Sequence, residues 1–242
     1  MTTVTIFGSG NMGNAIAGVL ASGGASVDHI RSDDPPGTVS GEIVILAVPH
    51  SALQDIATQY GDELAGKIVV DITNPLSFQT FDSLVTSPES SKAAEVAAAL
   101  PSSRVLKAFN TNYAASLNAK KVGPNTTTVL VAGDDDDAKA ALISAVRAGG
   151  LDAMDAGPLS RARELEAIGF IQLMLTMSQQ IGASGGLAVL ANSYPQSVYI
   201  AYPGVNYQVE VYDPTRARAM QLVTSGGLRH LGRLKTSPSA VS

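Results

Sequence analysis

The stretch "VTIFGSGNMGNAIAGVLASGGASVDHI", residues 4–30, decides the fold. A short apolar run ends at Gly8, glycines recur at positions 10 and 13, and Ile16, Val19 and Leu20 repeat at helical spacing before a second run closes at Ile30. That order is strand, turn, helix, strand. In this context the G-x-G-x-x-G pattern has a physical reading. Gly8 permits the tight turn, Gly10 lets a diphosphate approach the backbone, and Gly13 lets the helix pack close to the strand. The diphosphate of a dinucleotide would rest on the free N–H groups at the helix N-terminus. Ser9, Asn11 and Met12 line the same turn, with Asn11 either donating to phosphate or capping the helix.

Working outward, continuous β-branched runs at 43–49, 67–73, 104–109 and 127–133 suit strands buried on both faces of a parallel sheet. Helices are expected between them, at about 51–60, 90–99, 112–117 and 136–148. The alternation predicts an α/β fold, a Rossmann-type doubly wound parallel sheet. One interval departs from the pattern. "RSDDPPGTVSGE", residues 31–42, holds Pro35, Pro36, Gly37 and Gly41 where a crossover helix normally lies. Those residues leave no room for a stable helix, so the sheet should lack the one after its second strand.

Past this sheet, residues 159–181 read as one long helix, entered through Pro158 and ended at Gly182. Its apolar residues, among them Leu165, Ile168, Phe170, Ile171, Leu173 and Met174, cover more than one face, so it needs burial on several sides. The sheet supplies one side, and a second copy in a homodimer would supply another. From Asn192 the character changes again. "SVYIAYPGVNYQVEVYDP" predicts one or two strands, "TRARAMQLV" a short helix, and the terminal "RLKTSPSAVS" disorder. The expected organisation is a dinucleotide-binding domain over 1–157, a helical substrate and dimerisation region over 158–191, and a C-terminal extension over 192–242.

Composition narrows the function classes. At 242 residues the chain can bury a full core, and its lack of cysteine excludes a disulfide framework and thiolate chemistry. The opening residues carry no basic leader, and no apolar run is long enough to span a bilayer, so a cytoplasmic protein without a membrane partner is expected. A net charge of −5 with no basic tract argues against nucleic acid.

The end of the second strand selects the cofactor. Arg31 and Ser32 can bind a 2′-phosphate through charge-assisted contacts, which predicts NADP. A strand one or two residues longer would instead put Asp33 on a ribose 2′-hydroxyl, the NAD arrangement. His50 follows Pro49 at the ligand-binding edge of the sheet and is either a proton donor or a solvated loop residue. Asn110 either orients a carboxamide or a substrate oxygen or caps the next helix, and Tyr113 is a weaker candidate of the same kind. "GDDDD", residues 133–137, reads as the acidic start of a helix and not as a metal site, because consecutive carboxylates do not converge on one centre. Arg161 and Arg163 either attract an anionic substrate tail or are surface charge.

The motifs "IFGSGNMGNAIA", "IVILAVPHSAL", "GKIVVDITNPL", "RVLKAFNTNYA", "VLVAGDD" and "DAGPLSRARELE" occur in the order and spacing of a known family. Over about residues 3–190 the chain resembles the NADP-dependent oxidoreductases related to the NADPH:coenzyme F420 reductases. It is most similar to their short bacterial members, which also lack the crossover helix. The resemblance implies that Ala47, Val48 and Pro49 pass beneath the cofactor, and that Asn74 with Pro75, and Ala108 with Asn110, border the nicotinamide. It implies hydride transfer with NADP, and coenzyme F420 or a flavin as co-substrate. In the family the 2′-phosphate loop reads small residue, Ser, then Arg or Lys, whereas here Arg31 precedes Ser32 and Asp33 follows. A small carbonyl or imine acceptor would require His50 as the proton donor. The competing reading is a non-catalytic NADP-binding redox sensor.

Overall fold

The computed structural model describes residues 1–189 apart from 35, 36, 78, 79, 81, 88, 183 and 187, and beyond them the strands at 198–202, 205–209 and 222–224. In the first of its two units, Met1–Val189, β1 (Thr3–Phe7) runs into the glycine turn. The helix α1 (Asn11–Ser22) returns the chain, and β2 (Ser26–Ile30) pairs with β1 in parallel, Phe7 beside Ile30. On the other side of β1 lies β3 (Ile43–Leu46). After α2 (Leu53–Leu64) come β4 (Ile68–Asp71), α3 (Lys92–Ala99) and β5 (Arg104–Lys107), with β4 and β5 still parallel. Every residue of β3 and β4 is buried, which is why these runs show no polar alternation.

The remaining elements are α4 (Ala114–Ala119), a small hairpin of β6 (Lys121–Val122) and β7 (Asn125–Thr126), then β8 (Thr128–Gly133), α5 (Asp136–Ala148), β9 (Asp152–Gly157) and α6 (Ala162–Met177). The main sheet has the order β2-β1-β3-β4-β5-β8-β9. The expectation of a parallel sheet throughout fails at β8, which pairs antiparallel to β5 with Leu106 opposite Gly133. The physical reason is the short helix in the connection, the rest of which is taken up by the β6–β7 hairpin. The six residues of α4 span only about 9 Å, so the chain re-enters the sheet from the carboxyl edge and not from the amino edge. The pairing is close enough that a Cβ on Gly133 would lie 2.2 Å from Leu106 Cδ2. A further strand, β9, was not anticipated, because "DAMDAG" contains no β-branched or aromatic residue.

Among the described residues of 31–42 there is no helix, and the loop is tied flat against the sheet. Gly41 N–H donates to Thr5 Oγ1 (2.9 Å), Thr5 Oγ1 donates to Asp28 Oδ1 (3.0 Å), and Lys67 Nζ donates to Gly41 O (2.8 Å). A side chain at 41 would come within 2.3 Å of Thr5 N. Val39 N–H adds a bond to Glu63 of α2 (2.7 Å).

The last helix also differs from its forecast. Residues 159–161 form one 3-10 turn, α6 begins at Ala162, and it ends at Met177, several residues before Gly182. Gln179 takes a left-handed conformation (φ 59°), which stops the helix earlier than the first downstream glycine. Its buried residues are Ala162, Leu165, Glu166, Gly169 and Gln172, a face that is partly polar, while Ile171 and Met177 are exposed within this chain.

The second unit, Leu190–Ser242, contains β10 (Val198–Tyr202), β11 (Val205–Val209) and β12 (Leu222–Thr224) in an antiparallel sheet of that order. Of the short helix expected at 215–223, Leu222 and Val223 lie in β12 instead, paired with Val209 and Gln208. The rest of that segment, and the terminal 233–242, fall outside the described residues.

Candidate active site

The glycine turn sits where the sheet order reverses, between β1 and β3, which is where open α/β sheets bind ligands. Gly8 has φ +99°, and a Cβ there would lie 2.4 Å from Ala47 O. Gly13 is held equally close, with its imagined Cβ 2.6 Å from Gly8 O. Gly10 is different. Its backbone is ordinary, and a Cβ on it would meet nothing within 4 Å. It is the N-cap of α1, so Asn11 is the first helical residue and not the cap, and no side chain caps the helix. No acidic residue occupies the first turn. The space beside Gly10 is therefore open, with the positive end of the helix dipole behind it, a fit for diphosphate.

Two side chains that sequence reasoning did not single out shape this turn. His29 Nδ1 lies 2.9 Å from Gly8 O, and because a carbonyl only accepts, Nδ1 carries the hydrogen. Asn14 Nδ2 donates to Ser9 O (2.7 Å). Only the pattern of a polar residue on each flank of the glycines hinted at either bond. At the neighbouring strand end, β2 stops at Ile30, whose carbonyl accepts Gly8 N–H (2.8 Å). Arg31 and Ser32 follow immediately and are exposed. The carboxylate of Asp34 closes the turn by accepting Arg31 N–H (2.9 Å), and Asp33 lies in the turn beyond the strand.

Ala47 and Val48 abut Gly8 across the switch point, with Pro49 exposed beside them. A cavity of about 190 Å³ opens along the same edge. Met12 of the glycine turn faces Asn74, Phe109, Asn110 and Tyr113 there, and Gly169 and Gln172 of α6 close the far side. Phe109 lines it and Ala108 is buried in the core beneath; Pro75 and His50 are not among the lining residues. A wider concavity of about 900 Å³ lies at the opposite, amino edge among Thr2, Glu42, Lys67 and Arg104, remote from the turn.

The cavity wall is rigid for identifiable reasons. Asn74 Nδ2 donates to Asn110 O (2.8 Å), while Asn110 Nδ2 donates to both Asn74 Oδ1 (2.9 Å) and Leu165 O (2.8 Å). Asn110 thus caps no helix, and both its N–H donors are committed to the scaffold. Its Oδ1 is buried without a protein partner among the described residues, as is that of Asn112. Phe109 holds a left-handed backbone (φ 60°), unusual for a bulky residue and a form of strain that clusters at functional sites. Tyr113, the N-cap of α4, turns its hydroxyl to Thr176 Oγ1 (2.6 Å) and donates to Gln172 O (3.0 Å).

Behind this wall lies a buried ionic cluster that the apolar pattern concealed. Lys107 Nζ donates to Asp71 Oδ2 (2.8 Å), Glu166 Oε1 (2.8 Å) and Thr73 O (2.6 Å), and all three ionisable side chains are at most 1% exposed. Glu166 also accepts Lys92 N–H (2.9 Å), and Asp71 Oδ1 accepts Thr73 N–H (2.8 Å). Burial pushes the Glu166 carboxyl above its ordinary range despite the neighbouring Lys107 ammonium.

The other sequence candidates resolve simply. Asp135 caps α5 by accepting Ala138 N–H (2.7 Å), and Asp134 accepts Leu159 N–H (2.8 Å), so the acidic run serves helix and loop. Among the described residues no group of acidic or histidine side chains is arranged to hold a metal. Arg161 pairs with Glu164 (3.5 Å) and Arg163 with Glu89 (3.8 Å), all exposed, which makes them surface charge.

A Rossmann sheet without its second crossover helix, a glycine turn at the switch point and a largely apolar cavity edged by asparagines beside it are the features of a dinucleotide-binding oxidoreductase. Comparison with known proteins takes this to a family. The family described as NADP oxidoreductase, coenzyme F420-dependent, matches residues 32–75. The F420-dependent NADP reductase of Methanocaldococcus jannaschii is 32% identical over 154 residues, 62% of this chain and 69% of that protein. The metalloreductase STEAP3 of Rattus norvegicus is 33% identical over 187 residues, 68% of this chain but only 36% of its own. Among solved structures, the hypothetical protein SMa0349 of Sinorhizobium meliloti is 28% identical with a TM-score of 0.57, covering 66% of this chain and 87% of that one. A structure assigned as an F420-dependent NADP reductase of Arthrobacter sp. FB24 shares the fold, with a TM-score of 0.69 at 23% identity over 78% of this chain and 100% of that one. The chain belongs to the family of F420-dependent NADP reductases, and it is an NADP-dependent oxidoreductase.

Proposed function

We propose that NADPH lies across the switch point, with its diphosphate on the turn from Gly8 to Gly13, its 2′-phosphate at Arg31 and Ser32, and its nicotinamide in the cavity between Met12 and α6. Ala47, Val48 and Pro49 flank the ribose side, and Asn74 and Asn110 border the ring, with Pro75 and Ala108 supporting them from behind. Bound there, NADPH supplies a hydride to an acceptor stacked above it. The acceptor this geometry suits best is a deazaflavin of the coenzyme F420 type, the substrate class named for the Methanocaldococcus relative.

One observation carries this choice. Among the described residues lining the cavity, Tyr113 alone is ionisable, and its hydroxyl is engaged by Gln172 and Thr176. A carbonyl or imine acceptor needs a positioned proton donor, whereas a deazaflavin ring takes its proton at a nitrogen open to solvent. What the protein contributes is positioning. The mutual bonds of Asn74 and Asn110 hold the wall, and Phe109, fixed in a left-handed backbone conformation and buried in the core, backs it with apolar surface. His50 lies outside the cavity lining, in the 3-10 turn His50–Ala52 that leads into α2, and is then not the donor.

Steady-state oxidation of NADPH against a deazaflavin, a flavin and a set of carbonyl and imine acceptors tests the proposal. Turnover confined to the deazaflavin is expected. Turnover only with carbonyl or imine compounds would transfer the donor role to His50, and tight NADPH binding without turnover by any acceptor would favour a redox-sensing module. We further propose that the protein works in the cytoplasm as a homodimer, since α6 leaves Ile171 and Met177 exposed in the single chain.

A further inference from the structure

The buried cluster of Lys107, Asp71 and Glu166 has more to it than packing. It joins one ammonium to two carboxylates, and both oxygens of Glu166 accept hydrogen bonds, from Lys107 Nζ and Lys92 N–H, which favours its ionised form against the effect of burial. The cluster then carries one net negative charge in the protein interior. Lys92 does not neutralise it, because only its backbone N–H reaches Glu166 while its ammonium pairs with Glu95. The cluster also lies close under the cavity. Ile72 and Asn74 follow Asp71 in the chain, Phe109 stands two residues beyond Lys107, and Gly169 stands one helical turn beyond Glu166. At the rise per residue of strands and helices these offsets amount to roughly 3–10 Å. Each of the three elements that brings a charge to the cluster therefore also brings a wall residue to the cavity.

Hydride transfer changes the charge of the ring in that cavity. The C4–H bond of NADPH breaks with its electron pair, and a new C–H bond forms on the deazaflavin. The acceptor is reduced by two electrons and takes one proton from solvent, and the nicotinamide is oxidised and becomes a cation. We infer that the net negative charge of the Lys107–Asp71–Glu166 cluster stabilises the oxidised nicotinamide over the reduced one, and so makes bound NADPH the stronger hydride donor. The inference rests on the placement of the nicotinamide given above. Glu166 and Asp71 are positioning residues in this scheme: they touch neither ring and act through the field. One unit charge at about 10 Å with an effective dielectric constant near 20 changes the relative affinity for a cation about tenfold.

The test is direct titration of the full-length protein with NADP+ and with NADPH, in wild type and in Glu166→Gln. Glutamine is nearly isosteric, and its Oε1 can still accept both Lys107 Nζ and Lys92 N–H. The ratio of the dissociation constant for NADP+ to that for NADPH is expected to rise about tenfold in the variant. Disruption of the wall would weaken both forms alike and leave the ratio unchanged, so an unchanged or lowered ratio overturns the inference. Asp71→Asn removes the other negative charge and should raise the ratio in the same sense. It carries the test if Glu166→Gln does not fold. The placement is tested separately with Asn74→Ala. Undiminished binding of both nucleotides in that variant would overturn the nicotinamide site, and the inference with it. Loss of binding there together with an unmoved ratio in Glu166→Gln would overturn the field effect alone.

Discussion

At the scale of single residues, the glycines of the turn divide into two kinds. Gly8 is required by the chain itself, since its φ of +99° and its approach to Ala47 O exclude a side chain. Gly10 is required by nothing in the protein, because a Cβ there meets no atom within 4 Å, and that space is what a diphosphate would fill. Gly10→Val should accordingly fold with near wild-type thermal stability while losing NADPH binding. Calorimetry beside a fluorescence titration checks it, and a folded variant with undiminished affinity would remove the turn from the site. Arg31 is the second residue-scale case. The strand ends at Ile30, so Arg31 and Ser32 are the first residues beyond it and Asp33 lies further on in the turn. Arg31→Ala should cost about 1.5–3 kcal/mol of NADPH binding, the usual worth of a charge-assisted hydrogen bond, with little change for NADH. Competitive titration with both nucleotides decides it; equal losses would point to a structural effect or to Asp33 as the ribose contact.

At the scale of elements, α6 is the piece whose sequence misleads. Its apolar residues suggested a helix buried on most sides, yet the face turned to the rest of this chain carries Glu166, Gly169 and Gln172. The reason is what it packs against: the carboxyl ends of β4 and β5 carry Asp71, Lys107, Asn74 and Asn110, and polar groups there need polar partners. Gly169 makes the approach possible, since a Cβ on it would lie 2.5 Å from Asn74 Oδ1. Gly169→Ala should force α6 away from Asn74 at a cost of about 1–3 kcal/mol, the range for overpacking a close contact. We expect a lowered Tm and a raised KM for NADPH; a variant with unchanged KM would mean that α6 and Asn74 do not together shape the nicotinamide cavity. None of this was legible as periodicity, because periodicity records which residues are apolar and not which polar groups they will face.

At the scale of the whole molecule, each described group placed in the candidate site belongs to the unit Met1–Val189. We therefore expect a chain truncated after Val189 to bind NADPH with near wild-type affinity while differing from the full chain in oligomer size or thermal stability. Titration and light scattering on the two forms check this, and a truncated chain that folds but does not bind would place part of the site beyond Val189. The division between what the chain's order reveals and what folding adds follows the range of the interactions. The glycine turn, the buried strands of the parallel half, the missing crossover helix and the early end of β2 were readable, because each depends on residues within about ten positions of one another: backbone freedom at glycine, prolines that exclude a helix, unbroken β-branched runs. The reversal of β8 and β9, the bond from His29 to Gly8, the mutual lock of Asn74 and Asn110, and the ionic cluster of residues 71, 107 and 166 were decided only by tertiary structure. Their partners lie 21 to 59 positions apart in sequence, and a lysine within a buried run carries no local mark of the two carboxylates that will meet it.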